Sequence, residues 1–332
     1  MVSPPPASAF DASTLKIVFM GTPQLAARIL EILLTSPPDQ LRVVAVITRP
    51  EQPRGRGLKL ESSAVGSLAE KYKIPVLKPA KIRTGDFLAE LNSFEPDLLV
   101  IAGYGRILPK EVLAAARIMP INVHTSLLPK FRGASPVEGA ILAGETESGV
   151  TIMRVTERMD AGPILLQRKL PLAPDETQGS LKAKLAELGG AALLDALTLI
   201  RCGKLAETEQ DETLATYTSP IAKEHAVIDW EADAGHIERM VRAYNPWPIA
   251  RSKLGPDELL VWRARRVSDQ DESIGSAAAP PGTLVNLKPG PIVKCGEGLL
   301  ELVEIQAPGR RRMAAADFMR GRRVAEGMCL GE

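Results

Sequence analysis

Apolar residues in this chain fall in short unbroken runs, and the segments between them carry the 3.6-residue period of helices. Residues 16–20 (Lys16-Ile17-Val18-Phe19-Met20) are too few for a helix and too continuously apolar for a half-exposed strand, so they predict a buried one. Gly21-Thr22-Pro23 then turns the chain into an amphipathic helix reaching about residue 34, with proline where a first helical turn tolerates it. Residues 42–48 supply the next strand and complete a βαβ unit. Further strands are expected at 97–102, 121–123 and 151–155, and helices at 62–72 and 86–94. Strands alternating with helices predict an α/β N-terminal domain built on a doubly wound parallel sheet. Ser135-Pro136 opens a short helix over 136–143 that Gly144 stops. Leu181, Leu185, Leu188 and Ala192 recur at helical spacing, so a long helix is expected over 180–202, ended by Gly203.

Beyond a polar stretch the period changes. A helix at 234–243 is followed by short apolar runs at 259–263, 282–286, 292–294 and 299–303, separated by glycine and proline. Short strands spaced by turns predict a smaller, β-barrel-like C-terminal domain. The expected division is 14–203 for the first domain, 204–216 for a linker and 217–330 for the second. A length of 332 residues agrees, because it exceeds what one core usually supports.

Charge and cysteine usage exclude several classes. The 41 basic residues are balanced by 40 acidic ones, so a polyanionic partner must be met by a local patch and not by a uniform coat. Cys202, Cys295 and Cys329 have no close spacing, which argues against a zinc cluster or a disulfide framework and for reduced thiols in a cytoplasmic protein; no metal is expected. No apolar run is long enough to cross a bilayer. The Gly21-Thr22-Pro23 turn lacks the three-glycine spacing of a dinucleotide site, so it is expected to be a tight strand-to-helix turn only.

Candidate chemistry gathers at Asn122-Val123-His124-Thr125-Ser126-Leu127-Leu128-Pro129, with Asp160 after the next strand. Asn122 and His124 are one residue apart on an extended segment and therefore share a face. An amide beside an imidazole can hold charge developing on a carbonyl oxygen. Asp160 can hydrogen-bond the ring or accept a proton through water. Each residue alone also has a plain structural use, His124 at a strand end and Asp160 in a turn. Residues 49–59 place Arg49, Arg54, Arg56 and Lys59 among Pro50, Pro53, Gly55 and Gly57, a composition that suits phosphate contacts and equally a solvated loop. Arg263, Arg265, Arg266, Arg310, Arg311 and Arg312 form a second basic set, and Tyr244 and Trp247 are expected to pack and not to stack on bases.

The run 121–133, together with Gly149-Val150-Thr151-Ile152-Met153 and Asp160-Ala161-Gly162, resembles the folate-dependent formyltransferase family. Four more runs extend the likeness over nearly the whole chain, toward the branch that formylates initiator methionyl-tRNA: Phe19-Met20-Gly21-Thr22-Pro23, Tyr104-Gly105-Arg106-Ile107-Leu108-Pro109, Gln210-Asp211-Glu212-Thr213 and Tyr244-Asn245-Pro246-Trp247-Pro248. The resemblance implies that Asn122, His124 and Asp160 are catalytic. It also implies that Ser126, Leu127, Leu128 and Pro129 line the pocket of a 10-formyltetrahydrofolate co-substrate, and that Arg54, Arg56 and Lys59 meet the tRNA acceptor stem. The implied reaction carries the formyl group to the α-amino group of methionine on initiator tRNA, with an amino-sugar nucleotide as the alternative acceptor; a monomer is expected. Thr125 departs from the small Gly or Ala usual there, and Gly103 from the usual Ala.

Overall fold

The computed structural model describes residues 14–35, 41–54, 59–267 and 279–331. In chain order the first elements are β1 (Leu15–Gly21), α1 (Gln24–Thr35), β2 (Leu41–Ile47), β3 (Gln52–Arg54), β4 (Lys59–Glu61), α2 (Ala64–Lys71), β5 (Val76–Leu77), α3 (Gly85–Ser93) and β6 (Leu98–Ala102). They continue with α4 (Lys110–Leu113), β7 (Met119–His124), β8 (Arg132–Gly133), α5 (Pro136–Leu142), β9 (Glu147–Arg154), β10 (Ile164–Pro171), α6 (Gln178–Arg201) and β11 (Tyr217–Thr218). Contacts divide the chain into two units, the first holding residues 1–136, 147–171 and 182–219, the second 137–146, 172–181 and 220–332.

In the first unit seven strands form one sheet in the order β10-β9-β7-β6-β1-β2-β5. The apolar runs explain the centre: every residue of β6 is buried, and in β1 all but Lys16 are. β1 pairs in parallel with both β2 and β6, and β6 with β7. Side chains alternate across the sheet, so Val18 and Met20 share one core with Ala45, Ile47, Leu99 and Ile101, against which Phe87 and Leu91 of α3 pack. The doubly wound expectation meets one difference at the far edge, where β9 runs antiparallel to β7 and β10 antiparallel to β9. β10 escapes the hydrophobic pattern because it is an edge strand with Arg168 and Lys169 exposed.

From β1 the strands proceed outward one way, and from β6 the other. The C-terminal ends of β1, β6 and β7 therefore lie at the reversal of strand order, where open α/β sheets bind ligands. Gly21 closes β1 because a Cβ there would stand 2.9 Å from the Ala102 carbonyl oxygen of β6 and from Ala26 Cβ of α1.

Residues 204–216, expected as a polar linker, make backbone contacts with this unit. Ile164 and Thr208 exchange backbone hydrogen bonds of 2.8 and 2.9 Å, and β11 pairs in parallel with β8. The polar residues of this stretch are used for contacts, and the two residues of β11, expected to open the second domain, belong with the first unit by contact.

In the second unit, α7 (Ala234–Ala243) precedes an antiparallel sheet of β12 (Ala250–Leu254), β13 (Asp257–Arg266), β14 (Leu284–Asn286), β15 (Ile292–Lys294), β16 (Leu299–Gln306) and β17 (Met313–Ala314), followed by α8 (Ala315–Arg322). The path β12-β13-β16-β15-β14 ends on two strands far apart in order, and residues 328–331 join them. Gly331 donates to the Lys253 carbonyl at 2.9 Å, Leu330 to that of Gly282 at 2.8 Å, and Leu284 to that of Met328 at 2.8 Å. This closes the sheet in the expected barrel-like manner. Tyr244 packs as expected, whereas Trp247 stands 48% exposed. Among the described residues no helix is long and apolar enough to cross a membrane.

Candidate active site

β7 delivers Asn122 and His124 to the crevice edge of the sheet. Asn122 pairs with Ile101 of β6 and Met153 of β9, and His124 with Thr151, so both side chains leave the same face of a strand held on both sides. His124 is buried at 6% exposure and Asn122 is half-buried. The imidazole Nε2 lies 3.0 Å from the Phe131 carbonyl oxygen. A carbonyl only accepts, so Nε2 carries the proton and Nδ1 is the nitrogen left for chemistry.

That nitrogen faces Asp160, with Nδ1 and Oδ2 3.7 Å apart. The separation is too long for a direct hydrogen bond, which leaves the second of the two expected uses, action through water, and Oδ2 also accepts the Gly133 N–H at 2.8 Å. The gap suits a bridging water or a substrate amine. Asp160 itself adopts φ 50°, a left-handed conformation that aspartate visits but that costs energy outside glycine. Gly133 is required: at φ 110° a Cβ would lie 2.2 Å from the Thr218 carbonyl oxygen.

The Ser126 to Pro129 turn is fixed by a buried hydroxyl. Thr151 Oγ1 donates to the Ser126 carbonyl at 2.7 Å and accepts from Leu128 N–H at 3.1 Å and from Gln167 Nε2 at 2.9 Å, which fills its hydrogen-bonding capacity. Gln167 Nε2 also donates to the Leu128 carbonyl at 2.8 Å. Ser126 donates its hydroxyl to the Lys130 carbonyl at 2.6 Å, and Leu128 is buried, so these two side chains serve the turn. Leu127 and Pro129 are only partly covered, as is Thr125. Neither Thr151 nor Gln167 stood out in the sequence, since a polar residue on a strand carries no mark of what its oxygen or amide will reach.

A cavity of about 490 Å³ opens among Arg83, Leu88, Ile107, Leu108, Lys110 and Glu157. Ile107 and Leu108 follow the C-terminal end of β6, and Glu157 precedes Asp160 by three residues. Ile107 is 71% exposed, high for an aliphatic side chain.

The basic segment begins with Arg49, whose Nε donates to the Tyr104 carbonyl at 3.2 Å and whose Nη2 donates to that of Gly105. Lys78 bridges Glu51 and Glu70 at 3.0 and 3.1 Å. β3 and β4 pair as a short antiparallel hairpin with Arg54 opposite Lys59; Arg56 lies outside the described residues. Of the second basic set, Arg265 is paired with Glu301 and Arg312 lies over the Trp262 ring at 3.1 Å, while Arg263, Arg310 and Arg311 are exposed.

Comparison with known proteins decides the family. A sequence profile described as formyl transferase matches residues 15–197, and one described as formyl transferase, C-terminal domain, matches 220–323. The chain belongs to the formyl transferase family. It is 44% identical over 320 residues to the methionyl-tRNA formyltransferase of Pseudomonas fluorescens (strain SBW25), spanning 96% of this chain and 98% of that one. With the methionyl-tRNA formyltransferase of Nitrosomonas europaea it shares 40% identity over 308 residues, 92% of this chain and 93% of the other. Among solved structures it is similar to HypX from Aquifex aeolicus in complex with tetrahydrofolic acid, with a TM-score of 0.60 at 19% identity over 92% of this chain; it spans 47% of the HypX chain. The N-formyltransferase from Helicobacter canadensis, in complex with folinic acid and dTDP-3-aminofucose, gives a TM-score of 0.62 at 18% identity over 87% of this chain and 99% of that one. At such identities the structural likeness establishes a shared fold.

Proposed function

We propose that this formyl transferase moves the formyl group of 10-formyltetrahydrofolate to the α-amino group of methionine on initiator methionyl-tRNA. The observation that carries the reading is the union of Asn122, His124 and Asp160 at the crevice edge in a chain 44% identical, over nearly its full length, to a methionyl-tRNA formyltransferase. The neutral amine attacks the formyl carbon. Asn122 and a protonated His124, donating from Nδ1, hold the charge that builds on the formyl oxygen. Asp160 stabilises the imidazolium across the 3.7 Å gap and can hold the water that accepts the amine proton. The new C–N bond forms, the bond to folate N10 breaks, and the proton lost by the amine ends on that nitrogen.

The cavity suits the donor. Leu88, Ile107 and Leu108 offer apolar surface to a flat heteroaromatic ring, and Arg83 and Lys110 offer charge to a carboxylate tail. Within the Ser126 to Pro129 run, Leu127 and Pro129 are the two side chains left partly exposed and so able to touch the donor. For the acceptor, Arg54, Arg56 and Lys59 supply three cationic residues within one short segment of a chain of net charge +1. The protein acts as a soluble monomer in the cytoplasm under this reading.

Mass analysis of methionyl-tRNA incubated with the protein and the formyl donor tests it directly, and formyl-methionyl-tRNA is the expected product. A parallel incubation with an amino-sugar nucleotide is expected to stay unmodified; formylation of the sugar alone would replace the acceptor while keeping the chemistry.

A further inference from the structure

Gln210 lies in the polar stretch before β11, is 8% exposed, and uses its whole amide. Nε2 donates to the backbone carbonyls of Asp160 at 2.8 Å and Gly162 at 2.7 Å. Oε1 accepts from Arg132 Nε at 3.1 Å and Nη2 at 2.8 Å. Carbonyls only accept and a guanidinium only donates, so the amide has one possible orientation. Arg132 is fully buried, and its other hydrogens go to Glu212 Oε1 and Oε2 and to the Tyr217 hydroxyl, each at 3.1 Å.

The same stretch grips the site a second time. Thr218 pairs with Gly133, whose N–H is the one that holds Asp160 Oδ2. Residues 210–218 thus fix Asp160 at both ends, the backbone through Gln210 and the carboxylate through Gly133. Asp160 sits in a left-handed conformation that its own residue type does not enforce, so something outside it must. A buried amide with every bond satisfied by groups of fixed polarity is well built for that task.

We propose that Gln210, anchored by Arg132, is a positioning residue of the formyl-transfer site: it holds the Asp160 backbone and so sets where that carboxylate stands relative to His124 Nδ1. The inference rests on the proposed function for its kinetic readout only. Gln210→Glu removes the donors facing Asp160 and Gly162 while keeping the bond to Arg132, and Gln210→Met removes both. Misplacement of a reacting group by about 1 Å costs roughly 100-fold in rate, so both variants are expected to lose about 10- to 100-fold in kcat with the KM values for donor and tRNA little changed. Because Gln210 acts through Asp160, Gln210→Met in an Asp160→Asn background is expected to cause less than about two-fold further loss in single-turnover rate.

An activity-independent measurement completes the test. The ring titration of His124, followed by nitrogen NMR, is expected to move in both Gln210 variants, since the carboxylate facing Nδ1 moves; thermal unfolding shows whether each variant is folded. An unmoved titration in either folded variant, or a loss that simply multiplies with that of Asp160→Asn, overturns the inference. Should the unsubstituted protein leave methionyl-tRNA unmodified while the titration moves as expected, the acceptor reading fails and the positioning role stands.

Discussion

The strand-end site and the basic hairpin belong to the same unit and are held by opposite means. Around His124 and Asp160, side chains and backbone fix one another: Thr151 and Gln167 hold the 126–128 turn, and the Gly133 N–H holds the Asp160 carboxylate. The hairpin of β3 and β4 has three residues per strand, its Leu60 is 66% exposed, and its base is tied by Arg49 and Lys78. Chemistry that must place a carboxylate to within half an ångström is built on satisfied buried polar groups. Binding a polyanion by charge makes no such positional demand.

The contrast is broken most severely at the trio. His124→Ala and Asp160→Asn are each expected to lower single-turnover formylation by about 100- to 10,000-fold, with thermal unfolding little changed and binding of labelled methionyl-tRNA retained. Activity within about two-fold of the unsubstituted protein would remove those residues from the reaction. Arg56→Ala addresses the other region. It is expected to raise KM for tRNA by roughly ten-fold, leave KM for the folate donor in place, and lower the slope of log affinity against log salt by about 1. A matching loss of folate affinity would mean the two regions are not separate in function.

Thr151→Val sharpens the comparison from the stability side. It strips the turn of a hydroxyl with three partners, and roughly 2 to 4 kcal/mol of unfolding free energy is expected to go with it, read from urea denaturation. A larger truncation in the hairpin, Leu60→Ala, is expected to stay within about 0.5 kcal/mol because Leu60 is 66% exposed.

The smallest effect concerns acid. Hydrogen bonding from Arg132 holds the Glu212 carboxyl below its ordinary value of 4.5. A carboxyl depressed in the folded state stabilises at pH above its unfolded value and loses that contribution as pH falls through the folded one. The melting temperature of Glu212→Gln should therefore lie below that of the unsubstituted protein at neutral pH, and the gap should narrow below pH 4.5. A gap independent of pH would assign the effect to packing.

Much of this was readable in the sequence. The continuous apolar runs mark the buried strands, because a strand covered on both faces has no polar alternation, and α7 was bounded at Ala234 and Ala243 by its period alone. The shared face of Asn122 and His124 was legible because they sit two apart on such a strand, while their catalytic role came from the family resemblance. What escaped shares a cause. β10 is an edge strand and β12 borders only short stretches such as 328–331 on one side, both are half polar, and Gln210 and Thr151 are polar residues whose partners lie 48 and 25 positions away. Periodicity reports burial of apolar surface, whereas a buried amide shows its purpose only once the chain has folded back on it. The same holds for Asp160, whose carboxylate stands 3.7 Å from the ring and is held by the Gly133 N–H.

The joining of β12 and β14 by residues 328–331 sets an order of events during synthesis. Every strand of the first unit's sheet has been made once residue 171 is polymerised, and folding of the emerging chain can begin there. The barrel-like unit keeps two open sheet edges until residues 328–331 are available to pair. Until those residues pair, β12 and β14 are open sheet edges, the kind of surface on which another strand can add.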